Sequence, residues 1–592
     1  DDAERAVVRG QQAFDRLARL AAPTVALVQG TAAGGGCELA LACRARVATE
    51  NARIGLPETK LGILPAWGGS MRLPRLIGFV PAVEIITGGR VLNAWRARRI
   101  GLVDSVVPRE HLEREGLRLI AEMAAGGAPP RPKPALGHRL LGAVELGRDL
   151  VAKKAREKIL AETKGFYPAP AAALEVVEAQ HGKPAAEGFA AERRAVVELL
   201  FGPVARELIR IFRMTRDGSR PPIYAAADAA APLREVAVIG AGVMGAGIAQ
   251  VCAARGFATR VIDVVPGSLV RARAGIAAEL KKLAERRELP AHEARKRLAA
   301  CTFSTSLDGL RGVDLVIEAA PERRDLKDRI LADASAAMRD DALIATNTSS
   351  FALAELARAV HRPERFLGLH FFNPAPKMPL VEVVRGPDAG VEVVERGVKF
   401  VKMLGKTPLV TADGPGFLVN RLLAPYFAAA CDLAEAGTPI EAIDGDVEAY
   451  GFPMGPFTLM DTVGLDVLRD VGEHLGARGR GGVHPLVRRL ADAKELGRKT
   501  GRGFYVWVDG KKTAPNRERL GVPSTSAAGP HPAGSLARRL VDVMIAEARA
   551  ALADGLVPTA DEVDLGAVFG IGYPAWRGGP LRDAERREGG AS

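Results

Sequence analysis

Apolar positions recur at helical spacing over residues 5–20, and the apolar run TVALVQG that follows reads as a strand. A glycine-rich turn and an apolar helix, CELALAC, come next. A further strand-and-turn region runs to GLVDSVVP, residues 101–108. From about Arg131 to Arg220 the spacing is helical, interrupted at PPRPKP and YPAPAAA, which predicts a bridge of helices with proline-rich joints. Composition shifts at RPPIYAAADAAAP, and LREVAVIGAGVMGAG then opens a β-α-β unit. Strand and helix patterns alternate to about Leu409, and after Pro415 the pattern is helical to the end.

The helical end carries a weak internal repeat. NRLLAPYFAAACDLAEAGTPIEAIDGDVEAYGFPMGP is similar to RRLVDVMIAEARAALADGLVPTADEVDLGAVFGIGYPAWRGGP. Each copy has a long helix, an acidic turn, a second helix and a glycine–aromatic–proline exit. This predicts a duplicated helical domain whose second copy is cut short.

At 592 residues the chain exceeds one core, and three or four units are expected. The formal charge of +12 is read as a solvated, arginine-rich surface. GARGRGG, residues 476–482, is a single copy between helices and reads as a loop, so no nucleic-acid partner is expected. The cysteines, Cys37, Cys43, Cys252, Cys301 and Cys431, form no CxxC pair and read as free thiols of a reducing, cytoplasmic compartment. HExxH and GxSxG are missing, and no metal site is expected. Val236–Ala254 is uncharged and long enough to span a bilayer, but its glycine spacing divides it into strand and helix, so no transmembrane segment is expected. No signal peptide is visible, though the chain starts without Met.

Three stretches carry chemistry. In TAAGGGCELALAC, glycines before a helix leave backbone N–H groups free to hold a developing oxyanion, and Glu38 lies in the first helical turn. A second acid, Glu58, follows in IGLPETKLGILPAWGG. Two carboxylates facing one pocket divide acid and base roles or together hold one water. PTVALVQGTAAGGGCELALAC, IGLPETKLGILPAWGGSMRLPRLIG and GLVDSVVP resemble the crotonase (enoyl-CoA hydratase/isomerase) family over residues 1–110. The resemblance implies that Glu38 and Glu58 are the hydratase pair and that the Gly35 N–H is one oxyanion-hole donor. Ala66 stands where the family usually has glycine. The family has about half a domain ahead of this point, including its other oxyanion donor, so an N-terminally incomplete chain is expected.

The second stretch, VAVIGAGVMGAGIAQVCA, places Gly240, Gly242 and Gly245 as GxGxxG with Met244 inside the loop. It follows a strand, opens a helix and precedes a second strand ending at Asp263, which is a Rossmann dinucleotide fingerprint. Asp263 accepts from ribose hydroxyls and repels a 2′-phosphate, which favours NAD over NADP.

The third stretch, RFLGLHFFNPAPKMPLVEVV, sets His370 among apolar residues with Glu382 in the next strand. A histidine held by a carboxylate is a competent general base. TNTSS supplies Ser349 at a strand end, and PGFLVNRLL supplies Asn420 at the start of the helical region. With EAAPERRDLK, LGRKTGRGFY and YGFPMGPF, this arrangement resembles the 3-hydroxyacyl-CoA dehydrogenases over residues 232–592. The resemblance implies that His370 takes the hydroxyl proton while C3 passes hydride to NAD, and that Glu382 orients His370. It further implies that Ser349 and Asn420 position substrate oxygens, that Glu322 and Lys327 are nicotinamide-side contacts, and that the helical repeat supplies dimer-like packing within one chain.

The fold expected is multidomain α/β: a partial crotonase (ββα) domain over 1–110, a helical linker over 111–231, a Rossmann domain over 232–413, and a duplicated all-α dehydrogenase domain over 414–515 and 516–592. Together the resemblances imply the multifunctional α subunit of a fatty-acid β-oxidation complex, or one of its close single-chain relatives. Its substrates are acyl-CoA thioesters, with (3S) stereochemistry, in some relatives Δ3–Δ2-enoyl-CoA isomerisation, and a thiolase β subunit as partner. Two alternatives are carried: a dehydrogenase whose crotonase part is an inactive scaffold, and a non-catalytic NAD-binding protein.

Overall fold

The helix expected near the chain start spans Asp2–Ala18 and is followed by the expected strand, Val25–Val28, in a computed structural model that describes residues 2–216, 220–476, 482–521 and 532–589. The segment 477–481, within the expected GARGRGG loop, lies outside the described residues. The chain divides into two units, residues 1–212 and 213–592.

In the first unit, Val25–Val28, Ala45–Thr49 and Ser105–Val107 form a parallel sheet. Thr31–Ala33, Arg53–Gly55 and Val91–Asn93 form a second, mixed sheet. The stretch between them, expected as strands and turns, is instead largely helical: Gly69–Ile77, Phe79–Thr87 and Ala94–Arg99. Phe79–Thr87 buries seven of its residues, and a continuous apolar run of this kind has no periodicity to separate helix from strand.

The helices expected as a linker over 111–231 are not a free bridge. Leu112, Leu119 and Met123 of Leu112–Ala124 pack with Ala45 and Val47 of the parallel sheet. Ala152, Leu174, Val177, Val196 and Leu199, from the following helices, lie in the same core as Cys37, Leu56 and Val83. YPAPAAA is a helix start rather than a break, because a proline in the first turn forfeits an N–H that has no partner anyway. From Arg220 onward the expected linker belongs to the second unit. Arg220 donates through Nε to Glu562 at 3.0 Å, and the Tyr224 hydroxyl donates to the same carboxylate at 2.6 Å.

The second unit is built on an eight-stranded sheet. Its order is Thr407–Thr411, Leu380–Arg385, Phe366–Phe371, Leu343–Thr346, Leu315–Glu318, Glu235–Ile239, Ala258–Ile262 and Thr302–Ser304. Only Phe366–Phe371 and Leu380–Arg385 run antiparallel. The strand order reverses beside Glu235–Ile239, the position where doubly wound sheets open a crevice. The uncharged stretch 236–254 is split between the strand Glu235–Ile239 and the helix Val243–Arg255. No helix among the described residues is long and apolar enough to cross a membrane.

Beyond the sheet, Val419–Glu435 packs along Ser535–Ala553, and both repeat copies contribute to one hydrophobic core. The two copies of the expected duplicated domain thus share one core. The repeat recurs in its hydrogen bonds. Asp444 accepts from Phe457 N at 2.9 Å, and Asp564 accepts from Leu581 N at 2.8 Å, each capping the helix after a Gly-Pro. The glycine is required in both copies: a Cβ on Gly455 would lie 2.3 Å from Asp444 Cα, and one on Gly579 would lie 2.4 Å from Asp564 Cβ. The region is not wholly helical. Tyr505–Val508 and Lys511–Pro515 form a hairpin whose turn residues, Asp509 and Gly510, both have positive φ, the conformation that an Asp-Gly turn favours.

In the first unit Arg46 and Asp104 form a buried pair at 3.0 Å, with side chains 1% and 0% exposed. Asp104 also accepts from Arg46 N at 2.8 Å and Arg131 Nε at 2.7 Å. Asp104→Asn should destabilise this unit by about 3 kcal/mol or more, because it leaves Arg46 charged and buried. Urea unfolding of the full chain measures this, and a loss below about 1 kcal/mol would mean the pair behaves as a solvated one.

Candidate active sites

In the first unit the helix Gly35–Ala42 starts at Gly34, which has φ 59°. The N–H groups of Gly35 and Gly36 fall in the first turn, where an α-helix supplies no acceptor. A Cβ on Gly35 would lie 2.8 Å from the Trp67 indole, so only glycine lets that ring close over the turn. Glu38 is buried, and its Oε1 accepts from Trp67 N at 2.7 Å and Gly69 N at 2.8 Å. Glu58 opens the turn Glu58–Leu61, and its Oε1 lies 3.3 Å from where a Cβ on Gly34 would sit. Its Oε2 is buried with no hydrogen-bond partner among the described residues.

The two carboxyls differ electrostatically. Burial, reinforced by the charge of Glu38, pushes Glu58 up to about 8. Burial also raises Glu38, and the N–H groups of Gly69 and Trp67 oppose that rise. Glu58 is thus held protonated at neutral pH, whereas Glu38 has two donors for its ionised form.

In the second unit His370 and Glu382 are register neighbours across the antiparallel pair. His370 Nδ1 and Glu382 Oε2 are 2.6 Å apart, and Glu382 is wholly buried. The other oxygen of Glu382 accepts from Leu418 N and Val419 N, each at 3.0 Å, at the start of the helix Val419–Glu435. With Nδ1 donating to the carboxylate, Nε2 is the free acceptor. Asn420 follows on that helix, and its Nδ2 donates to Ser349 O at 3.3 Å. Asn347 Oδ1 accepts from Phe371 N at 2.8 Å, tying the TNTSS loop to the histidine strand. His370, Glu382, Ser349 and Asn420 are therefore brought together.

Glu322 and Lys327 are committed to internal contacts. Glu322 Oε1 accepts from the hydroxyls of Thr348 and Ser350 and from Ser349 N and Ser350 N. Lys327 is 1% exposed, and its Nζ lies 2.9 Å from both oxygens of Glu318 and 3.1 Å from Glu322 Oε2. These contacts shape the loop from within. Buried Glu318 also accepts from Thr346 Oγ1 at 2.6 Å and was not singled out in the sequence, nor was Glu192 in the first unit. A charged residue ending a run such as DLVIE was the only available signal for Glu318; nothing in the helical pattern around Glu192 marked it.

The glycine loop fits a dinucleotide. Gly240 has φ 100°, and a Cβ there would lie 2.6 Å from Ala319 O. One on Gly245 would lie 1.8 Å from Gly240 O, so helix and strand approach too closely for any side chain. A Cβ on Gly242 would meet nothing within 4 Å, so it faces open space at the N-terminus of Val243–Arg255, where phosphate charge is favoured. Met244 packs at the edge of the core behind the loop. Asp263 stands at the end of the neighbouring strand, its oxygens accepting from Ala241 N at 2.6 Å and Val265 N at 2.8 Å.

Comparison with known proteins matches this arrangement. The family model for the 3-hydroxyacyl-CoA dehydrogenase NAD binding domain matches residues 235–414, and that for the 3-hydroxyacyl-CoA dehydrogenase C-terminal domain matches 416–507. The enoyl-CoA hydratase/isomerase model matches 3–130. Among solved structures, 3-hydroxybutyryl-CoA dehydrogenase from Escherichia coli K12 is 30% identical with a TM-score of 0.52, covering 60% of this chain and 92% of its own. FadB2 of M. tuberculosis is 37% identical with a TM-score of 0.45, covering 47% of this chain and 100% of its own. (S)-3-hydroxybutyryl-CoA dehydrogenase PaaH1 from Ralstonia eutropha is 38% identical with a TM-score of 0.44, at the same coverages of 47% and 100%. The chain belongs to the 3-hydroxyacyl-CoA dehydrogenase family, uses NAD, and carries an enoyl-CoA hydratase/isomerase segment ahead of the dehydrogenase, the combination of a multifunctional fatty-acid oxidation enzyme.

Proposed function

We propose that the chain hydrates 2-enoyl-CoA between Glu38 and Glu58 and oxidises the resulting (3S)-3-hydroxyacyl-CoA to the 3-ketoacyl-CoA at His370. The observation that carries the second step is the chain of contacts from His370 through Glu382 to Leu418 N and Val419 N. It fixes a proton acceptor, Nε2 of His370, beside the helix that bears Asn420. The substrate hydroxyl gives its proton to Nε2 as C3 becomes a carbonyl, and Glu382 stabilises the imidazolium that forms. Bound NAD accepts the C3 hydride. Asn420 and the Ser349 hydroxyl hold the substrate oxygens. Gly240, Gly242 and Gly245 hold the pyrophosphate, and Asp263 the ribose. Glu322 and Lys327 act on the cofactor side through the loop they brace.

In the first unit the unequal carboxyls support a division of roles. Glu38, whose Oε1 accepts from Trp67 N and Gly69 N, takes the proton of the water that adds to C3. Glu58, protonated at neutral pH, delivers a proton to C2. The N–H of Gly35 faces the thioester oxygen as negative charge develops there. The enolate between these proton transfers also supports Δ3–Δ2 isomerisation at the same pair. A thiolase β subunit that cleaves the ketoacyl product is the partner this sequence of reactions calls for. The unpaired state of all five cysteines supports a reducing, cytoplasmic setting.

His370→Gln should lower NAD reduction by 3-hydroxyacyl-CoA by about 100-fold or more, the usual worth of a general base, in a stopped-flow NADH assay. Unchanged turnover would remove His370 from the reaction. With 2-enoyl-CoA as substrate, Glu58→Gln should abolish NADH formation while oxidation of added 3-hydroxyacyl-CoA continues at the original rate. Hydration should also decline as pH rises through about 8, where Glu58 loses its proton; a flat rate from pH 6 to 9 would exclude it as the acid. Gly242→Ala should leave folding intact and weaken NADH binding about tenfold or more, 1.4 kcal/mol, by fluorescence titration. Gly245→Ala should disrupt the fold around Gly240 as well as binding.

A further inference from the structure

The first unit holds a third carboxylate that the chemistry above does not use. Glu192 lies inside the helix Ala185–Phe201 and is 0% exposed. Its Oε2 accepts from Gly68 N at 2.9 Å and its Oε1 from Met71 N at 3.0 Å. The N–H groups between and before these, Gly69 N and Trp67 N, are the two that hold Glu38. One short turn, 67–71, is thus held by two carboxyl groups that divide its N–H groups between them. Gln11 completes the clamp: its Nε2 donates to Ala66 O at 2.9 Å and Phe189 O at 3.0 Å, and lies 3.5 Å from Glu192 Oε2. Gln180 donates to Ser70 O on the same turn. The charged groups facing Glu192 are Glu38 and Arg72.

A helix N-terminus at the surface finds acceptors in water. Here a carboxyl group is buried beside Glu38; burial and that like charge push it well above the usual carboxylate range, the N–H groups of Met71 and Gly68 oppose the shift, and the turn gains a fixed position in return. We propose that Glu192 is a positioning residue for hydration: it fixes the turn 67–71 and, through Trp67 N and Gly69 N, the orientation of Glu38 toward Glu58. This rests on the reading of Glu38 and Glu58 as the hydration pair. The helices that sequence patterning assigns to a linker therefore complete the first site. Glu192 is wholly buried, and its action passes through the backbone of the turn.

The test uses Glu192→Gln in the full chain, assayed for hydration of a 2-enoyl-CoA, with oxidation of 3-hydroxyacyl-CoA by the same preparation as reference. An amide offers one acceptor where the carboxylate offers two, so one of the N–H groups of Gly68 and Met71 is released. Hydration kcat should fall by about 100-fold, the cost of a small misplacement, with KM within about threefold. The pH profile is read on Glu192→Asp, which keeps an acid beside Glu38: there the acidic limb of kcat should move to higher pH, because loosened Trp67 N and Gly69 N oppose the rise of Glu38 less. Oxidation should be unchanged. Equal kcat in Glu192→Gln and parent, or parallel loss of kcat and substrate affinity in Glu192→Gln with an unmoved pH profile in Glu192→Asp, would overturn the role. Should Glu192→Gln unfold the first unit, Glu192→Asp carries the kcat reading as well, with a smaller loss. A parent chain that hydrates nothing would overturn the Glu38–Glu58 pair itself, and this role with it. A parent chain that hydrates alongside an unaffected Glu192→Gln would overturn only Glu192.

Discussion

A carboxylate taken out of water has to be given donors, and Glu382 is given three: His370 Nδ1, Leu418 N and Val419 N. That requirement links parts of the chain remote in sequence. It joins a strand of the Rossmann sheet to the first long helix of the dehydrogenase C-terminal region. The imidazole tautomer, the start of that helix and the position of Asn420 are therefore not independent. Each is set by the same buried charge, and a histidine standing alone on the strand would have neither its orientation nor its partner.

The same constraint recurs through the molecule with different outcomes. Glu318 and Glu322 meet it with Lys327 and with the hydroxyls and N–H groups of the TNTSS loop, so their charges serve to brace that loop. Asp444 and Asp564 meet it with the N–H groups of the helices they cap, once in each repeat copy. Glu38 and Glu192 meet it by dividing the N–H groups of one turn. Glu58 departs from this, its buried Oε2 having no hydrogen-bond partner among the described residues. An unmet requirement of that kind raises the proton affinity of the group, which is the property an acid catalyst needs near neutral pH.

Local sequence carried much of the dehydrogenase site because its parts are close in the chain or placed by register. His370 and Glu382 are twelve residues apart on adjacent strands, and the glycine loop is a single turn. The hairpin at Asp509–Gly510 was equally local, an aromatic and β-branched run ending in Asp-Gly, yet the helical character of its neighbours masked it. The helix Phe79–Thr87 was illegible for another reason: it is buried on more than one side, and near-uniform apolarity erases the 3.6-residue period, whereas its neighbour Gly69–Ile77 is amphipathic but interrupted by Pro74.

By itself the sequence determined the chemistry-bearing motifs, the strand–helix alternation of the NAD-binding region and the internal repeat, because each is written in residues a few positions apart. Tertiary structure alone decided three things. It attached the helices beyond Leu112 to the first unit, it merged the two repeat copies into one core, and it brought Glu192 to the turn that holds Glu38. The physical reason is common to all three. Burial and hydrogen-bond satisfaction are properties of where a side chain ends up, and a glutamate on an amphipathic helix has the same local pattern whether its carboxylate meets water or the N–H groups of a turn more than a hundred residues away.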